Sequence, residues 1–88
     1  MNHRHNQTLQ ALFAHPTSGN IDAQRVLSMI QALDGEVTHG GHGQIVIRLA
    51  GHTQGFHEFH HTLSKEQVMD MRKFLETAGV AASRQFSE

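Results

Sequence analysis

The sequence contains no cysteine. Disulfides and thiolate-ligated metal sites are therefore excluded. Nowhere does it reach the roughly 18–20 consecutive apolar residues that a bilayer-spanning helix needs. Its start, MNHRHNQTLQ, is polar and lacks the apolar stretch of a secretory signal. These absences point to a bacterial-type cytoplasmic protein. Excess charge is missing too: 7 Lys and Arg against 8 Asp and Glu give a formal net charge of −1. The basic footprint common among nucleic-acid binders is thus not present. No internal repeat or low-complexity tract interrupts the 88 residues, a length that fits one domain. Apolar residues make up 38%, so the core is expected to be thin.

What the chain has in plenty is histidine, with nine against seven Lys and Arg. Free imidazoles titrate near about pH 6.5, so mild acid would make the domain cationic. For any single histidine, tolerated surface composition is an equally good reading.

Hydrophobic spacing organises the rest. In TLQALFAH (8–15), Leu9, Leu12 and Phe13 share one face of a short helix that Pro16 stops. Asp22 is an N-cap candidate for a second helix, whose stripe is Val26, Met29, Ile30 and Leu33 and whose C′ residue is Gly35. The period then changes. EVTH (36–39) is a short strand, HGGHG (39–43) a turn, and QIVIRL (44–49) a strand half-buried through Ile45, Ile47 and Leu49. AGHTQG (50–55) reads as a hairpin connection and FHEFHH (56–61) as the returning strand. Ser64 and Gln67 have capping-box spacing ahead of a helix with Val68, Met71, Phe74, Leu75 and Ala78 inward and Gly79 at its end. The expected fold is α+β: a three-stranded antiparallel sheet with helices on one face and the other face open. Double-stranded-RNA-binding domains share this α-β-β-β-α order. Residues 1–20 form an N-terminal extension with a short helix, 21–82 the main domain, and 83–88 a loose tail.

A metal site is not expected. On an extended HEFHH, His57 and His60 point to opposite faces, and His57 and His61 lie about 13 Å apart. Zinc requires every ligand nitrogen near about 2 Å from the metal. His39 and His42 could meet across the turn, but no third ligand is obvious. His3 and His5 read as disordered surface. No cofactor is indicated.

His42 is the best catalytic candidate. The flanking Gly41 and Gly43 would let a phosphate or sugar approach the backbone, and successive loop N–H groups can form an anion-binding hollow. A neutral imidazole there could take the proton of an RNA 2′-hydroxyl. Arg48, or His57 on the neighbouring strand, could steady the phosphate. On spacing alone, a merely flexible hairpin loop is the simpler reading.

GGHGQIVIRL, then FHEFHH, then SKEQVMDMRKFLETAGV resembles the HicA family of bacterial toxins, over about residues 21–80. Gly41-His42 with Gln44-Ile45 matches the family's glycine–histidine segment. Phe56-His57 and His60 match its third strand, and Val68 to Val80 its closing helix. Gly41 stands where the family usually has serine, and Gly43 where it has a second histidine. The resemblance implies a double-stranded-RNA-binding-like fold, ribosome-independent cleavage of mRNA with His42 as the catalytic histidine, and neutralisation by a HicB-type antitoxin. With His42 as general base and no metal site expected, that cleavage should be metal-independent. The alternative is a HicA-like module that binds RNA or a protein without chemistry, which the neutral charge favours.

Overall fold

Asp22 starts the longest-legible part of the fold. Its carboxylate accepts the backbone N–H of Arg25 at 3.2 Å and so caps a helix that buries Val26, Met29 and Ile30 completely. The computed structural model describes residues 3–14, 16–17 and 19–80. In chain order these form α1 (His3–Leu12), β1 (Ile21–Asp22), α2 (Ala23–Ala32), β2 (Glu36–His39), β3 (Gln44–Leu49), β4 (His52–His57), β5 (Thr62–Leu63) and α3 (Lys65–Thr77). The protein is α+β.

Both later helices end in the same way. After α2, Gly35 donates its N–H to Ile30 O (2.9 Å) and Asp34 to Gln31 O (3.1 Å). After α3, Val80 donates to Leu75 O (2.8 Å) and Gly79 to Glu76 O (3.0 Å). These are paired Schellman bonds that satisfy the last carbonyls. At α3 the left-handed residue is Gly79, with φ 85°. At α2 it is Asp34, with φ 67°, and not Gly35 as the sequence pattern suggests. Gly35 is needed one residue later for lack of space. A Cβ there would lie 2.6 Å from Ile30 Cγ2 and 2.8 Å from Ile30 O. At the start of α3, Ser64 and Gln67 form the reciprocal capping box.

β2, β3 and β4 form an antiparallel meander in that order. Ile45, Ile47 and Leu49 alternate into the core and are joined there by Phe56. Phe56 meets Phe74 of α3 edge-on, with ring centroids 5.8 Å apart. Val26, Met29 and Ile30 of α2 and Val68, Met71 and Leu75 of α3 complete one cluster. The opposite face carries Glu36, Thr38, Gln44, Arg48, Thr53, Gly55 and His57, all exposed, with Val46 half-buried.

Three sequence expectations need correction. The returning strand is His52–His57, not 56–61, and AGHTQG is mostly strand. Its hairpin is a two-residue turn, Ala50-Gly51 between the paired Leu49 and His52, with φ 52° and 82°. Positive φ at both central residues is the twist-matched hairpin geometry. Beyond His57 the chain leaves the sheet, and Thr62–Leu63 pairs instead with Ile21–Asp22. Finally, the first helix begins at His3 and ends at Leu12, so His3 and His5 are helical.

That first helix belongs to the core. Leu9 and Leu12 are fully buried. Arg72 of α3 donates from Nε to Leu12 O (2.9 Å) and from Nη2 to Ala14 O (3.2 Å) and Thr17 Oγ1 (3.3 Å). One guanidinium thereby serves carbonyls that the end of α1 leaves open. His15 and residues 81–88, and with them the expected tail, lie outside the described residues.

Candidate active site

The β2–β3 connection is closed by the N–H of Gly40, which donates to Gln44 O at 2.9 Å. Gly41, His42 and Gly43 form the loop between them. His42 has φ 61° and Gly43 φ 70°. For an L-residue this left-handed conformation costs roughly 1–2 kcal/mol, because Cβ crowds the next carbonyl. Glycine at 43 is thus explained by backbone shape. A Cβ at Gly41 would meet nothing within 4 Å, and that residue is not at positive φ. His42 occupies the one strained position of the loop that is not glycine, and its side chain is exposed.

Strand register decides what lies beside it. Gln44 pairs with His57, and the N–H of Glu58 donates to Gly43 O at 2.8 Å. The exit of β4 is therefore bonded directly to the His42 loop. A Cβ placed on Gly43 would lie 3.8 Å from Glu58 Oε2, so this carboxylate stands against the loop. Arg48 is elsewhere. It sits four residues along β3 from Gln44, about 13 Å away, opposite Glu36 and Thr53. The fold brings Gly41, His42, Gly43 and His57 to one end of the sheet and leaves Arg48 at the other.

His57 also lines a cleft of about 510 Å³ between the outer edge of β4 and the first turns of α3. His60, Ser64, Glu66 and Asp70 face the same cleft. Among the described residues no group of three or more His, Asp or Glu is placed to hold a metal ion. What the arrangement offers is acid–base chemistry: an exposed imidazole on a glycine loop, a second imidazole at the same end of the sheet, and a carboxylate against the loop that can orient or balance charge. Glu58 was not singled out by the sequence, and His60 only as a rejected metal ligand and as part of the third-strand match. Reading Ala50-Gly51 as a two-residue turn would have found Glu58, because counting from Leu49↔His52 places residue 58 opposite Gly43.

A scan against protein-family models found no match to the chain, and searches of curated proteins and of solved structures found none either. Among the described residues no helix is long and apolar enough to cross a membrane.

Proposed function

We propose that this protein is a HicA-like toxin of a toxin–antitoxin pair, a metal-independent endoribonuclease that cleaves mRNA in the cytoplasm with His42 as general base. The observation that carries this reading is His42 itself. A histidine is held, exposed, in a backbone conformation that glycine would adopt without strain. Ala50-Gly51 uses the same left-handed pair as a plain hairpin turn, so what supports the reading is that the position here carries an exposed imidazole, in a loop bonded to the exit of β4. The three-stranded meander with helices over one face is compatible with the double-stranded-RNA-binding-like fold of that family.

In this mechanism the neutral imidazole of His42 takes the proton of a 2′-hydroxyl. The oxygen attacks the adjacent phosphorus, the bond to the 5′-oxygen breaks, and the leaving oxygen takes up a proton. The products are a 2′,3′-cyclic phosphate and a 5′-hydroxyl. His57, at the same end of the sheet, would hold the phosphate, with Gly41 and Gly43 allowing close approach. A HicB-type antitoxin would act by covering this end.

The test is incubation of purified protein with single-stranded RNA in EDTA. Cleavage with cyclic-phosphate ends is expected, falling on the order of 10²-fold or more in His42→Ala. Intact RNA that is nevertheless bound would replace this reading by that of a non-catalytic binding module.

A further inference from the structure

The arginines outside the candidate active site are not equivalent. Arg72 is consumed by the end of α1. Arg48 faces Glu36 across a strand pair. Arg4 and Arg25 differ from both. They line one groove of about 370 Å³ between α1 and α2, together with His5, Gln24 and Ser28. Every one of these side chains can donate a hydrogen bond, and among the described residues no carboxylate lines the groove. Neither guanidinium has a hydrogen bond or ion pair among the described residues. The nearby Asp22 has its carboxylate turned to the backbone N–H of Arg25.

Their placement costs stability. Both arginines sit in the first turn of a helix, and neither α1 nor α2 has an acidic residue in that turn. A helix start carries partial positive charge and favours anions, not guanidinium groups. Two arginines that pair with no carboxylate among the described residues and line one concave groove instead suit an anion with several oxygens, since guanidinium groups match phosphate geometry.

A short stretch of chain links the His42 loop to the start of α2, which carries Arg25. Glu58 is bonded to Gly43. Thr62 pairs with Asp22, and the N–H of Ala23 donates to His61 O at 2.9 Å. Only the four steps from Glu58 to Thr62 separate these two attachments, at most about 14 Å of chain. The exposed His60 and His61 lie on that path, and Arg25 follows at once in α2.

We infer that the Arg4–Arg25 groove is a phosphate-binding subsite that holds the RNA backbone some nucleotides away from the bond at His42. The inference rests on the RNA-cleaving reading and adds to it where the strand runs. It would give a chain without net positive charge a local pair of cations for the RNA backbone.

The probe is a short 2′-O-methyl RNA strand, which has the phosphates but lacks the attacking hydroxyl. Its affinity for the full chain is measured against salt concentration. Each single-strand phosphate contact contributes about 0.7 to the slope of log affinity on log salt. Arg4→Gln/Arg25→Gln should therefore flatten the slope by about 1.4 with a melting temperature no lower than that of wild type, while Lys73→Gln, beside Glu76 on α3, leaves the slope as in wild type. An unchanged slope in the double variant, or an equal loss in Lys73→Gln, overturns the groove and leaves the toxin reading standing. No binding by wild type overturns both.

Discussion

Changing His42 should separate stability from activity in opposite directions. With φ 61°, the residue bears a conformational cost of roughly 1–2 kcal/mol that glycine does not. Glycine gives back about 0.5–1 kcal/mol through the greater freedom of the unfolded chain. His42→Gly should thus raise stability by about 0.5–1 kcal/mol, which for a domain of this size is a melting temperature about 2–8 °C higher. His42→Asn, tolerant of the same conformation, should be close to neutral. His42→Val should melt below wild type, because a β-branched side chain fits that backbone worst. All three should lose RNA cleavage on the order of 10²-fold or more. Thermal unfolding by circular dichroism, run beside the cleavage assay, reads both axes. If glycine and asparagine both lowered the melting temperature by several degrees, histidine would be there for a stabilising contact, and the argument from strain would be wrong.

Ile47 is fully buried at the centre of the sheet. Ile47→Asp places a carboxylate there at a cost of several kcal/mol, and against a total stability of about 5–15 kcal/mol the far-ultraviolet spectrum should show an unfolded or barely folded chain at 25 °C. Gly35→Ala drives a Cβ to 2.8 Å from the Ile30 carbonyl oxygen and should lower stability by roughly 1–3 kcal/mol; chemical denaturation with an unchanged midpoint would disprove the crowding. Arg72→Gln removes charged donors from Leu12 O and Ala14 O and should cost roughly 2 kcal/mol, with amide hydrogen exchange in α1 rising before that of β3.

The elements that could be read from the sequence are those whose own residues carry the signal. Asp22 before α2, the Ser64–Gln67 pair before α3 and the alternation of β3 all act within a few residues, and all are found as expected. β4 gives no such signal. Of its six residues only Phe56 is buried, so period-two alternation is absent. Its turn is hidden as well, since Ala50 takes a conformation that Asn, Asp or Gly normally marks. α1 is polar over its first turns and is held through Leu9, Leu12 and the distant Arg72, a tertiary cause invisible to local spacing. In the candidate site, His42 stood out by its glycine setting. Arg48 looked close because it is near in sequence. Only the register shows that it lies at the far end of the sheet, and that Glu58 lies near.

The bond from Arg72 to Leu12 spans sixty residues. It has a consequence for the order in which a ribosome can produce a working molecule. The meander carrying His42 is complete by His57, yet its buried face lacks α3, and α1 lacks the guanidinium that finishes it. Local pairing of β2 to β4 can begin on the nascent chain, but its apolar side is covered only in part, by α2, until α3 has emerged. Synthesis therefore leaves an interval in which the strands exist and the stable domain does not. Any protein meeting the chain in that interval would encounter apolar sheet surface that the finished domain conceals.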